Sequence, residues 1–295
     1  MFPTSPLQQV RHPLTQAKQI NWYVKRDDLY ASRPGHPLQG NKVRKLIGLL
    51  SALPPGEQLI TFGGAYSNHL AATAAFGRQF SFPVTGIVRG EQVKNPVLDF
   101  CVQQGMKLHF VSRQRYRRKN EADEQANYFR EYGPGVLVPE GGTGPYSFSG
   151  TQALLPEVVE QLGYEPDYFQ LAAGTGGTAA GAIATNSSSH LEVFPILKGN
   201  WMPATIEQLL ATYSPGTPNE SWETVNGYHF GGYAKRPTVL LEFIETFSQR
   251  TGIPLEPIYT GKLFYGVVDR IKRDIYPPGS TLVTYHSGGI LSLNP

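Results

Sequence analysis

The sequence has only one cysteine, Cys101, in 295 residues. A single thiol cannot form an intramolecular disulfide and cannot supply a cysteine-based metal cluster, so both are excluded. Residues 1–20 also lack the apolar core of a leader peptide. We therefore expect a cytoplasmic protein in a reducing compartment.

Long hydrophobic runs are absent as well, and no window reaches the length of a membrane span. Hydrophobic residues nevertheless make up 40% of the chain, which is enough to bury a sizeable core. This composition predicts a globular protein with one large domain or two modest ones and no membrane partner.

An excess of charge of either sign is missing too, because 26 basic residues face 23 acidic ones. The most basic stretch, residues 113–119, is followed at once by Glu121, Asp123 and Glu124. This order is typical of a solvated helix start, so we expect no nucleic-acid partner.

Short β-rich runs alternate with helical patterns, which predicts βαβ units and a largely parallel sheet. The predicted strands are residues 58–62, 84–88, 107–111, 136–138, 167–172, 191–197 and 282–285. The predicted helices are residues 68–78, 96–105, 121–132, 151–162, 238–251 and 262–273, of which 151–162 is weakened by Pro156.

A glycine loop, Gly174-Thr175-Gly176-Gly177-Thr178, follows the predicted strand 167–172. Bare backbone amides and two hydroxyls at a helix start form a site for an anion, most naturally a phosphate. Gly174, Gly176 and Ala179 also fit a dinucleotide fingerprint, with Glu192 as its acidic residue. A glycine turn that only packs helix on strand is the third reading.

Two further segments carry polar residues beside glycines. Lys42 follows Gly40-Asn41, and Ser67-Asn68 follows Gly63-Gly64 at the start of a predicted helix. Taken alone, Lys42 is typical of a solvated lysine and Ser67-Asn68 of a helix cap.

In order along the chain, the runs KRDD, GNKVRKL, GGAYSNH, AGTGGT, YTGK and HSGG resemble those of one enzyme family. The sequence is similar to the pyridoxal-phosphate enzymes of the 1-aminocyclopropane-1-carboxylate deaminase and D-cysteine desulfhydrase family. The resemblance implies an α/β fold of the tryptophan synthase beta-like type, with parallel-rich sheets, in a homodimer. It also implies a small domain, residues 44–145, inserted into a large cofactor-binding domain, residues 1–43 and 146–295, with pyridoxal 5'-phosphate between them.

The resemblance also implies a role for each matching residue. Lys42 would hold the cofactor as a Schiff base, Asn68 would bond its phenolic oxygen, and residues 174–178 would hold its phosphate. Ser67 would face the substrate carboxylate, and Tyr259 and Tyr233 would line the same site. A lysine amine suits this chemistry because it bonds to an aldehyde and, when freed, can take the substrate Cα proton.

Thr260 stands where the cyclopropane deaminases have a glutamate that faces the pyridine nitrogen. A neutral hydroxyl stabilises a protonated pyridine less than a carboxylate does, which favours β-elimination over ring opening. We therefore expect a lyase for D-cysteine or a similar small D-amino acid. The alternatives are a cyclopropane-carboxylate deaminase, an NAD-dependent oxidoreductase and a non-catalytic binding protein.

Overall fold

The computed structural model describes residues 4–31, 36–214, 216 and 219–289. Its strands form two sheets, one of six strands in the order β1-β2-β10-β7-β8-β9 and one of four in the order β5-β4-β3-β6. The strands are β1 Leu7–Gln9, β2 Asn21–Arg26, β3 Leu59–Gly64, β4 Val84–Arg89, β5 Lys107–Val111, β6 Val136–Val138, β7 Tyr168–Ala173, β8 His190–Pro195, β9 Trp222–Thr224 and β10 Thr281–His286. Only the β1–β2 pair is antiparallel among these strands, so the prediction of a largely parallel sheet is confirmed.

Helices connect the strands, as parallel pairing requires. They are α1 Pro13–Ala17, α2 Asn41–Ile47, α3 Leu49–Ala52, α4 Asn68–Phe80, α5 Pro96–Gln103, α6 Arg113–Arg117, α7 Ala122–Tyr132, α8 Pro145–Gln152, α9 Leu154–Leu162, α10 Gly177–Ile183, α11 Met202–Tyr213, α12 Thr238–Thr251 and α13 Thr260–Lys272. Within the described ranges, none of them is both long enough and apolar enough to cross a bilayer.

The predicted helix 151–162 is wrong in its extent. The chain forms two helices there, α8 and α9, which meet at Ala153. Pro156 lies in the first turn of α9, where its missing N–H leaves no intrahelical bond unmade. The proline therefore marks a helix start instead of weakening a single longer helix.

The basic stretch 113–119 forms ion pairs within the chain. Arg115 binds Glu124 at 2.6 Å and Glu131 at 2.6 Å, and Arg118 binds Glu121 at 2.7 Å. These carboxylates neutralise the guanidinium groups of Arg115 and Arg118.

The four-stranded sheet and the six-stranded sheet draw on different parts of the chain. All four strands of the smaller sheet lie between residues 59 and 138, and the strands of the larger sheet lie on either side of that segment in the sequence. The domain boundaries at 43/44 and 145/146 stay a prediction. Helices α2 and α8 pack together close to both predicted boundaries. Their backbones are so near that a Cβ added at Gly150 would lie 2.0 Å from the carbonyl oxygen of Arg44.

A buried ion-pair network ties α2 to the larger sheet. Arg44 donates to the Asp27 carboxylate at 2.5 and 3.0 Å and to Glu157 at 2.8 Å. The Tyr285 hydroxyl also donates to Asp27, at 2.7 Å. Burial works against the charge of the guanidinium, yet the carboxylates of Asp27 and Glu157 raise the pKa of Arg44.

Replacing Arg44 tests how much α2 depends on this network. Arg44→Met leaves the Asp27 carboxylate buried without its cation, so we expect the free energy of unfolding to fall by about 3 to 5 kcal/mol. Urea unfolding followed by circular dichroism measures the loss. Arg118→Met, at the exposed pair with Glu121, is the control and should leave the midpoint nearly unchanged. Equal shifts for both variants would contradict the role given to Arg44.

Candidate active site

A cavity of about 490 Å³ lies where the carboxyl ends of strands from both sheets meet. The segments that follow β3, β6, β7, β8 and β10 all contribute to its wall. Ligand sites of parallel α/β proteins lie at this end of the strands. The described part of the cavity wall carries the cations Lys42, Lys45 and Arg89 and the single acid Glu140, which pairs with Lys119 at 3.3 Å. The cavity therefore favours anions.

Lys42 is the second residue of α2, and the start of this helix is fixed by a distant part of the chain. Gly40 has a φ of 60°, and a Cβ there would lie 2.2 Å from the carbonyl oxygen of Ser287. That oxygen accepts the N–H of Asn41 at 3.1 Å. Glycine is needed because no side chain fits between these two segments.

The Lys42 side chain reaches the cavity without a partner. Its amine makes no hydrogen bond or ion pair with any residue in the described ranges. Burial lowers the pKa of Lys42 to about 8, because an ammonium loses hydration there. A substantial fraction of the amine is therefore neutral near physiological pH, and a neutral amine is the nucleophile.

Ser67 and Asn68 lie at the N-terminus of α4 and line the cavity. Ser67 does cap the helix, since its Oγ accepts the N–H of Leu70 at 3.3 Å. Capping uses only a lone pair, so the hydroxyl proton remains available to a ligand. Capping and ligand binding are thus compatible at this residue.

The glycine loop lies against a second threonine segment. Thr175 Oγ1 is 3.1 Å from Thr143 Oγ1, and a Cβ added at Gly177 would lie 2.3 Å from the same Thr143 atom. Gly174 to Thr178 all line the cavity. The backbone of Gly177, which has no side chain, therefore lies close to Thr143. The loop faces the part of the cavity that an anion would fill.

Lys45 is a site residue that the sequence reasoning missed. It is 3% exposed, lines the cavity, and donates to Gly141 O at 3.1 Å and Thr143 Oγ1 at 3.2 Å. Burial and the neighbouring charge of Lys42 lower its pKa. The signal was present in the sequence, because residues three apart on a helix share a face.

Two tyrosines form another part of the cavity wall. The rings of Tyr233 and Tyr259 lie 6.1 Å apart at 78°, in an edge-to-face contact. Burial raises the pKa of both phenols, and for Tyr259 the neighbouring Tyr233 and Glu256 add to the effect. Both hydroxyls therefore stay protonated at neutral pH and can donate.

Thr260 is the predicted site residue that the structure does not bring to the cavity wall. It is fully buried, and its Oγ1 accepts the N–H of Glu256 at 3.0 Å and lies 3.1 Å from Glu256 Oε1. The Glu256 carboxylate also accepts the N–H groups of Tyr259 and Thr260, at 2.8 and 2.6 Å. The contact of Thr260 with a pyridine nitrogen stays a prediction.

Glu192, the acid required by the dinucleotide reading, is fully buried outside the cavity wall. It is bound by Arg270 at 2.6 Å and by the Tyr276 hydroxyl at 2.6 Å. A carboxylate held in this way cannot bind a ribose. The structure therefore removes the residue on which the NAD-dependent alternative depended.

The described residues fit pyridoxal phosphate, since the cavity combines an unpaired amine with a glycine loop of bare backbone amides and with the basic side chains of Lys45 and Arg89. A family model for pyridoxal-phosphate dependent enzymes matches residues 5–288. The chain belongs to this family. Pyridoxal phosphate is accordingly its cofactor, as the resemblance implied.

Relatives support the same family along most of the chain. A provisionally named 1-aminocyclopropane-1-carboxylate deaminase of Thermotoga maritima is 31% identical, over 95% of this chain and 92% of that protein. The mitochondrial bifunctional D-cysteine desulfhydrase/1-aminocyclopropane-1-carboxylate deaminase of Arabidopsis thaliana is 28% identical, over 92% and 73%. The crystal structure of a deaminase homologue superposes with a TM-score of 0.80 at 25% identity, over 98% of this chain and 90% of that one. The predicted α/β fold of the tryptophan synthase beta-like type is confirmed.

The low pKa of Lys42 can be tested on the cofactor-free protein. Labelling of Lys42 by trinitrobenzenesulfonate should rise with pH to half its maximum near pH 8, because the neutral amine reacts. Peptide mass spectrometry measures the labelling, with a short lysine peptide as the control that titrates near pH 10.4. A Lys42 profile that follows the peptide would show that the amine is not desolvated.

Proposed function

We propose that this enzyme is a lyase that carries out β-elimination on D-cysteine or a similar small D-amino acid. The observation that carries the proposal is the unpaired Lys42 amine, which shares one cavity with the glycine loop, Ser67-Asn68 and two protonated tyrosines. The products would be a keto acid, ammonia and the leaving group.

The cofactor would be held at three points by residues that line the cavity. Lys42 would bond its aldehyde carbon, and Asn68 would bond its phenolic oxygen. The backbone of residues 174–178, with Thr175 and Thr178, would bind its phosphate. Lys45 adds an amine that the sequence reasoning did not assign, beside the Thr143 hydroxyl that faces this loop.

The remaining residues would act on the substrate. When bound, pyridoxal phosphate supplies an electron-accepting ring. Ser67 and the free N–H groups at the start of α4 would bind the substrate carboxylate. The Lys42 amine, once free, would take the proton from Cα, and Tyr259 and Tyr233 would donate hydrogen bonds to the departing thiolate.

Deamination of the cyclopropane acid is the second candidate within the family. The name of the Thermotoga relative favours it, whereas the name of the Arabidopsis relative includes both activities. Against it stands Thr260, which supplies no carboxylate for a pyridine nitrogen. The only acid on the described cavity wall, Glu140, is paired with Lys119.

A visible spectrum tests the attachment of the cofactor. The purified enzyme should absorb in the visible after incubation with pyridoxal phosphate, and borohydride should abolish the band, because a lysine-bound cofactor carries a reducible C=N bond. Lys42→Ala should lack the band, while Lys107→Ala, on an exposed strand position, should keep it. A band that survives in Lys42→Ala would assign the attachment to another lysine.

A product assay tests the substrate. Pyruvate should form from D-cysteine faster than from L-cysteine or D-serine, and borohydride-treated enzyme serves as the control. Formation of 2-oxobutanoate from the cyclopropane acid would favour the deaminase instead. Absence of turnover with all of these compounds would leave a non-catalytic binding protein.

We propose further that the enzyme works as a homodimer in the cytoplasm, as the family resemblance and the single cysteine suggest. Sedimentation equilibrium should then give about twice the chain mass of 32.5 kDa. A monomer mass would refute the dimer.

A further inference from the structure

Lys262 is the last residue of the motif Tyr259-Thr260-Gly261-Lys262 and lies in the first turn of α13. Its side chain is almost fully buried, at 1% exposure. The ammonium donates to the carbonyl oxygens of Gly232 at 2.7 Å and Tyr233 at 3.1 Å. A buried lysine that binds two neighbouring carbonyls holds that backbone in place, since an ammonium has three donors to satisfy.

The segment that accepts these bonds is a turn, residues 227–234, which we call the Tyr233 turn. Phe230, Gly231 and Gly232 in it have positive φ values of 53°, 90° and 130°. Few backbone hydrogen bonds lie within the turn, and the chief one is donated by Gly232 N to His229 O at 3.0 Å. A turn with so few internal bonds needs outside contacts to keep one conformation.

The Tyr233 turn carries a residue of the cavity wall. Tyr233 lines the cavity and meets the Tyr259 ring edge-to-face. Tyr259 directly precedes α13, whereas Tyr233 is far away in the sequence. The start of α13 therefore positions Tyr259 because Tyr259 is the residue before the helix. It positions Tyr233 through the hydrogen bonds of Lys262.

We propose that Lys262 is a positioning residue, whose two bonds to the Tyr233 turn fix the Tyr233 side chain at the cavity. The effect on turnover rests on the proposed function, because it requires Tyr233 to meet the substrate. The effect on the turn does not, because the hydrogen bonds are present without cofactor or substrate.

Lys25 offers a matched control. It too is buried and binds a backbone carbonyl, that of Ser5 at 2.8 Å, and pairs with Glu157 at 2.9 Å. It does not line the cavity. Lys25→Met and Lys262→Met therefore both remove a buried ammonium, but only the second removes hydrogen bonds to the Tyr233 turn.

Hydrogen exchange on the cofactor-free protein is the first test. Lys262→Met should speed amide exchange in residues 227–234 about tenfold, because the loss of hydrogen bonds makes local opening easier. Lys25→Met should leave these residues unchanged. If Lys262→Met fails to fold, Lys262→Gln, which is too short to bind both carbonyls, takes its place. Unchanged exchange in the turn would overturn the proposal.

Kinetics of the cofactor-loaded enzyme are the second test. Lys262→Met should lower kcat/KM as much as Tyr233→Phe does, because both changes remove the contact of the Tyr233 hydroxyl with the substrate. The double variant should therefore be no worse than the poorer single variant. Lys262→Arg should restore part of the activity, and Lys107→Met, at an exposed position of β5, should keep the wild-type KM. Additive losses would overturn the positioning role. Faster exchange without turnover of any substrate would support the role and refute only the proposed function.

Discussion

The ion pair between Arg44 and Asp27 is the interaction on which the site depends. Residues two apart on a helix point in nearly opposite directions, so Arg44 and Lys42 cannot face the same side of α2. Because Asp27 and Glu157 bind the guanidinium inside the protein, the opposite side of α2 with Lys42 faces the cavity. Lys45, one turn further along, then lies beside Thr143. A single buried charge thus sets the rotation of the helix that carries both site lysines.

Three lysines at or beside the cavity differ in their partners, and this difference separates their roles. Lys42 has none among the described residues, Lys45 binds one carbonyl and one hydroxyl, and Lys262 binds two carbonyls. Burial lowers the pKa of all three. Hydrogen bonds to neutral oxygens keep Lys45 and Lys262 in place, whereas nothing restrains the amine of Lys42. The free amine is the one that can react.

Local pattern was enough to predict much of the fold. Strands β5 and β6 and helix α12 have the predicted bounds, because a short apolar run and a helical apolar repeat can both be recognised from local sequence alone. Strand β2 was not predicted, since it ends in Lys25 and Arg26, whose burial depends on distant carboxylates. Lys262 escaped notice because a lysine on a helix is typical of a solvated side chain until tertiary contacts show otherwise, whereas the spacing of Lys45 from Lys42 was a usable signal. Thr260 was predicted at the site but does not line the cavity. A motif match could not reveal that its hydroxyl binds Glu256.

The contact between Gly40 and Ser287 joins two segments that are almost the whole sequence apart. During synthesis, the smaller sheet can be completed once Val138 has left the ribosome, since all its strands lie before that point. The carbonyl that holds the start of the lysine-bearing helix is made only after β10. A nascent chain therefore contains the lysine long before the start of its helix can be fixed, because that contact requires residue 287 to have been synthesised.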